Sequence, residues 1–149
     1  MGDGRKGNCV MPIKNYTTKV PATQSVAEIV DALAKHGAVK IQQDYELGKP
    51  ISVAFMIETP TGLRGFKLPI CPNKVKAVLS TQNIKVDFNQ AERIAWRILR
   101  DWVMAQMAIL ETEMVSIDQV MLPYMTNNQG KTMYELYNER QLQIGDGQQ

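Results

Sequence analysis

The chain has little histidine, little cysteine and little excess charge. His36 is its single histidine, and Cys9 and Cys71 are its only cysteines. One histidine at the end of a helical pattern supplies no Cys-His or Ser-His-Asp set. The cysteines, far apart in sequence, form neither a CxxC motif nor a zinc site, and they read as free thiols. His36 reads as a structural group facing the negative pole of the first helix. Asp and Glu are scattered, without the D-x-D or E-x-x-H spacing that would hold a metal. An enzyme is therefore not expected, and neither a cofactor nor a metal is implied.

Long apolar runs are missing as well. No segment approaches the ~20 residues of a membrane span, and the opening "MGDGRKGNCVMPIKN" has no signal-peptide core. The expectation is a cytoplasmic protein with no membrane partner. The formal net charge is only +2. It permits a local basic patch without arguing for a strongly basic nucleic-acid binder.

What is present is an ordinary globular composition, 44% hydrophobic and 21% charged over 149 residues. That is one domain's worth, with no internal repeat. Residues 1–14 are expected to be a flexible leader, 15–140 a single α+β domain and 141–149 a loose tail. "NYTTKVPA" is β-prone and closes at Pro21, so it predicts a first edge strand. "SVAEIVDALAKHG" predicts a helix: Ser25 and Glu28 form a capping box. Val26, Ile29, Val30 and Leu33 make its apolar stripe, Asp31 and Lys35 pair on the other side, and Gly37 stops it.

The period then drops to two. "AVKIQQDYE", "ISVAFMIE" and "LRGFKLPI", separated by "LGKP" and "TPTG", predict a three-strand antiparallel meander. Helices follow over "CPNKVKAVLST", from Asp87 or Asn89 to about Met114, over "SIDQVML", and over "KTMYELYNER" behind a Thr132–Glu135 capping box. The expected fold is α+β, in the order β-α-β-β-β-α-α-α, with the first helix and the long helix covering one face of an antiparallel sheet.

The long helix carries the sharpest functional signal. Ala91, Ala95, Ile98, Trp102, Ala105 and Ile109 fall on one stripe, which reads as the core face. Arg93, Arg97 and Arg100 recur on the opposite side with Trp96 at their edge. Planar guanidinium forks suit phosphate, carboxylate and aromatic partners. The bland account is a solvated face whose arginines pair with Glu92 and Asp101. The methionines of the second half, from Met104 to Met133, suit a core more than a surface. A further basic strip is expected from Lys40, Arg64 and Lys67 of the meander toward Lys74, Lys76 and Lys85. Its aromatic interleaving is poor, because Phe55 and Phe66 should face the core. "NNQGKT" ends like a phosphate loop. Met125 stands where the first glycine should be, so it reads as a polar turn and a cap.

Three segments, "NYTTKVPATQSVAEIVDALAKHGAVKI", "PISVAFMIETPTGLRGFKLP" and "QAERIAWRILRDWVMAQMAILETEMVSIDQVMLPYM…GKTMYELY", resemble small proteins encoded by bacteriophages and integrated elements of Gram-positive bacteria. The resemblance covers most of Asn15 to Tyr137 and brings no catalytic residues with it. It implies a bacterial host cell and a role in binding. Two expectations follow. The first is an accessory protein that binds nucleic acid, single-stranded, through its Arg/Lys surface. The second is an anti-CRISPR-like inhibitor that binds a host defence nuclease. A homodimer through the Ala/Met-rich long helix is a further expectation.

Overall fold

The expected first strand over residues 15–21 does not form in the computed structural model, whose described residues are 11–140. Asn15 takes a left-handed φ of 65°, and the Thr18 N–H closes a turn onto the Asn15 carbonyl at 3.0 Å. The Thr18 hydroxyl accepts from the Val20 N–H. Gln90 Nε2 then donates to the carbonyls of Tyr16 and Thr18 at 3.2 and 2.9 Å, using acceptors that a ladder would need. A Thr side chain that bonds the nearby backbone competes with sheet pairing, and Thr18 does so here, while Asn15 supplies the left-handed turn residue. Part of the expected leader is also tied down. The Ile13 N–H donates to Gln82 Oε1 at 3.3 Å, and Lys14 meets Asp101 at 3.1 Å. The rest of the leader, residues 1–10, and the tail, 141–149, lie outside the described residues.

Helix α1 (Ala22–Lys35) starts directly after Pro21, which serves as its N-cap. Because it begins a turn before Ser25, the expected Ser25–Glu28 capping box is not made. Ser25 is buried inside the helix instead, and Glu28 is released for other partners. The rest of the pattern holds. Val26, Ile29 and Leu33 are buried, Asp31 and Lys35 pair at 3.0 Å, and Gly37 turns with φ 105°.

The meander forms as β1 (Lys40–Glu46), β2 (Lys49–Thr59) and β3 (Gly62–Lys67). Leu47 and Gly48, at φ 51° and 80°, make the β1–β2 turn with two left-handed residues, the geometry that matches strand twist. A strand not foreseen from the sequence, β4 (Met125–Thr126), pairs antiparallel with β3 and completes a sheet of order β1-β2-β3-β4. Its two residues carry too little pattern to be read as a strand on their own. Around the sheet come α2 (Pro72–Thr81), α3 (Phe88–Glu111), α4 (Ile117–Met121) and α5 (Met133–Arg140). Asp87 caps α3, accepting the Gln90 N–H at 2.8 Å. The Thr132–Glu135 box caps α5 through bonds of 2.8 and 3.1 Å.

Val53, Phe55, Ile57, Phe66 and Leu68 line the covered face of the sheet and join α1 and α3 in one core. The Phe55 and Phe66 rings stack with centroids 5.2 Å apart. The core face of α3 is the expected one only in part: Ala91 and Ala95 are buried as expected, but the rest of the stripe is not. Trp96, Leu99, Val103 and Met107 are buried, while Ala105 and Ile109 are exposed and Ile98 and Trp102 half-buried. The reason is that α3 packs between α1 and α2, so it needs a wide apolar arc. Trp102 lies at the rim of that arc, edge-on to Tyr124 at 5.6 Å. No helix of the described residues is long and apolar enough to cross a membrane.

Candidate nucleic-acid interface

The arginine row is drawn into the helix layer. The carboxylate of Glu28, freed from its cap, accepts from Arg97 at 3.1 Å and from Arg100 at 2.7 Å. Arg100 also meets Asp101 at 3.2 Å, and Arg93 donates to Gln90 at 2.7 Å. The Arg97 side chain is only 18% exposed. Trp96, expected at the edge of the row, is fully buried and is not a surface residue. Asp101 thus partners Arg100 as the bland account has it. Glu92 does not join the row: it pairs with Lys49 at 3.3 Å, across to the β1–β2 hairpin.

Glu28 is held below its ordinary carboxylate value, first by the side-chain bond from Gln24 and then by the two guanidiniums, against the cost of desolvation. Asp101 is held low as well. Burial would raise it, but Asn15, Lys14 and Arg100 outweigh that. Arg97 and Arg100, engaged in this way, clamp α3 to α1.

The basic residues of the sheet are placed differently. Strand pairing puts Lys40, Gln42 and Asp44 of β1 on one face with Ser52, Ala54 and Met56 of β2, Gly65 and Lys67 of β3, and Thr126 of β4. This is the face opposite the core. A hollow of about 620 Å³ opens on it. Its lining includes Lys40, Gln42, Met56, Arg64, Asn127 and Asn128, and no carboxylate among the described residues. Arg64 borders the hollow by its backbone only: it is opposite Ile57 in the register, so its side chain leaves from the core-side face, where it donates to the Thr61 carbonyl at 2.9 Å.

Gly65 matters here because a Cβ at this position would lie 2.9 Å from Thr126 Oγ1. Its absence lets β4 approach and keeps the floor low. Asp44, further along β1, is held below its ordinary value, first by Gln42, then by Ser52, with the Lys67 charge adding to both.

The rest of the expected basic strip separates. Lys74 and Lys76 lie on α2 and Lys85 on the loop after it, all exposed in the helix layer away from this face. Helix α2 packs chiefly on α3, which is why the strip breaks. "NNQGKT" is the turn and cap that it resembles, with Gly130 at φ 81°, Lys131 paired to Glu139 at 2.7 Å and Thr132 capping α5. Gln42, Asn127 and Asn128 were not marked by the sequence as site residues. The amide pair "NN" in a polar turn was the signal, and only β4 brings it to the sheet. Cys71 is a free, exposed thiol, and the described residues hold no metal-binding cluster.

His36 is where the sequence put it. It bonds the Ala32 carbonyl and the Glu111 carboxylate, each at 2.8 Å, and so ties the C-terminal ends of α1 and α3. The Ala32 carbonyl, and after it Glu111, raise its pKa above the ordinary 6.5. A raised value means that this stabilisation is complete below the unfolded pKa and is lost as pH rises through the folded one. His36→Ala is expected to cost about 0.3–1 kcal/mol at acid pH, the range for a cation at a helix C-terminus, and little on the alkaline side. Urea unfolding on both sides of neutrality checks this. A cost that does not change with pH would show that the ring acts by packing alone.

Comparison with protein-family models, with curated proteins and with solved structures finds no match to the chain.

Proposed function

We propose that the protein acts by binding, and that a single strand of nucleic acid lies on the open face of its sheet. The observation that supports this most is the make-up of the hollow: a lysine and several side-chain amides, with no acidic group among the described lining residues, and Lys67 beside it on the same face. Lys40 and Lys67 supply the charge for phosphates. Asn127 has its Nδ2 left over when its Oδ1 accepts from Gln129 and Lys131, and Gln42 its Oε1 when its Nε2 donates to Asp44. Together with Asn128 they offer donors and acceptors to base edges, which are free only in unpaired strands. Met56 gives an apolar floor for a base face. Phe55 and Phe66 turn into the core, so the face lacks a stacking platform, and phosphate contacts should dominate its affinity. The reading places the ligand on the sheet and not on the arginines of α3.

Fluorescence anisotropy with a labelled single-stranded oligonucleotide, DNA and RNA in turn, tests it across a salt series. Reversal of both charges, Lys40→Glu with Lys67→Glu, is expected to lower affinity at low salt by about tenfold or more. It should also flatten the log–log salt slope by ~1.4, at ~0.7 per neutralised phosphate on a single strand. Unchanged affinity and slope would remove the reading.

A second reading, a protein partner such as a defence nuclease, is favoured by an apolar groove on the other side of the β1–β2 hairpin. Leu47 (97% exposed), Ile51 and Phe88 flank it, with Ile70 beside them and Trp96 below. Exposed aliphatic and aromatic groups around a concave floor are typical of protein contacts. Wild-type protein that binds no single strand even at low salt would leave this second reading standing alone.

A further inference from the structure

We infer that β1 is a self-association edge, at which a second copy of the chain pairs antiparallel and joins the two sheets into one. The opposite edge of the sheet is short: β4 has two residues, and Thr126 is bridged to Thr132 beyond it. β1 offers seven residues with no further strand alongside in the sheet order. A monomeric protein guards such an edge with proline, a bulge, charged side chains such as lysine, or an inward-pointing charge, and of these β1 has one lysine, Lys40, at its very start. β1 has no proline. The irregularity in its pairing falls in β2, where the partners step from Ser52 to Pro50 and leave Ile51 out, so β1 itself stays regular. Its residues on the core side, Ile41, Gln43 and Tyr45, carry no charge. Gln43 and Tyr45 are exposed, so no helix overhangs the edge.

The backbone is set for pairing. The Leu68 N–H donates to the Val53 carbonyl at 3.0 Å, so Val53 turns its polar groups toward β3. Alternation then directs those of Ser52, Ala54 and Met56 toward β1, where Asp44, Gln42 and Lys40 oppose them. The N–H and C=O groups of Ile41, Gln43 and Tyr45 therefore point away from the sheet.

A two-fold axis through Gln43 uses these outward groups in one register. Gln43 faces the partner's Gln43, and Ile41 faces the partner's Tyr45, in pairs that exchange both backbone hydrogen bonds. In the same register Lys40 faces the partner's Glu46 and Gln42 faces the partner's Asp44. The segment KIQQDYE is thus complementary to itself when reversed: cation against anion, amide against carboxylate, aliphatic against aromatic, and each such pair is favourable across strands. A register moved by one residue would meet side chains on the wrong faces. Lys40 and Glu46 make no ion pair among the described residues, so these charges remain for the partner. The axis runs perpendicular to the sheet, which keeps both helix layers on one side and sets the two open faces side by side. This inference does not depend on the nucleic-acid reading.

Sedimentation equilibrium of the full chain without nucleic acid, from micromolar to millimolar protein, tests it. The expected mass rises from 16.8 kDa toward twice that value. Gln43→Lys sets like charges against each other at the axis and should hold the protein monomeric. Lys40→Glu and Glu46→Lys should each weaken the dimer by about tenfold, an effect of ~1.4 kcal/mol. Combining the two restores opposite charges and should restore the wild-type mass, an outcome that misfolding cannot produce. A wild type that remains monomeric at millimolar concentration overturns the inference. So does a dimer that survives Gln43→Lys, and so does a double variant no more dimeric than the single ones.

Discussion

Trp96→Ala is expected to lower the free energy of unfolding by about 3–5 kcal/mol, the range for deletion of a large buried aromatic side chain. Trp96 is completely buried. It lies in one core with the apolar residues of α1 and of the covered sheet face, so its removal opens a cavity that no single neighbour can fill. Trp102→Ala should cost less than half as much. That indole is only partly buried at the edge of the core, and its aromatic contact is the Tyr124 ring. Urea unfolding of the two variants compares them directly. A larger loss for Trp102→Ala would mean that α3 is rotated from the orientation described here, toward the stripe of Ile98 and Ile109.

The second large effect concerns Glu28. Glu28→Ala is expected to destabilise the fold by about 1.5–3 kcal/mol, because it removes charge-assisted hydrogen bonds and leaves Arg97 and Arg100 partly buried without their shared acceptor. A double-mutant cycle with Arg97→Ala should show coupling between the two sites. Additive losses would mean that the pair contributes nothing beyond its separate contacts. The pH dependence has a definite sign. The folded pKa of Glu28 is depressed, so its stabilisation is present above the unfolded value of about 4.5 and is lost as pH falls through the folded one. The wild type should therefore lose stability on acidification more steeply than Glu28→Ala. Reversing Arg93, Arg97 and Arg100 to glutamate would place carboxylates against Glu28. Such a variant would report on stability before it reported on any partner.

The contrast between these two effects and the sheet shows what each level of structure decides. Local patterns in the chain sufficed for the three strands of the meander, the Gly37 stop, the Asp87 cap and the Thr132–Glu135 box. Each of these depends on residues a few positions apart, where hydrogen bonding and side-chain direction follow from the backbone period alone. The class of the fold was legible for the same reason. Local competition was harder to read. Asn15 and Thr18 folded a β-prone stretch into a turn, and Pro21 started α1 early enough to free Glu28.

Three decisions required the tertiary structure. The long helix carries two adjacent apolar stripes, and only the positions of α1 and α2 determine that Trp96 lies deeper than Trp102. The row of arginines is plain in the sequence. Whether it meets solvent or a carboxylate depends on Glu28, which comes from another helix. Lys40, Met56 and the Asn127–Asn128 turn are distant in the chain. They share one hollow because a two-residue strand pairs with β3 beside a glycine that has no side chain to keep it away. Periodicity reports which residues share a face, while burial and charge pairing depend on what packs against that face.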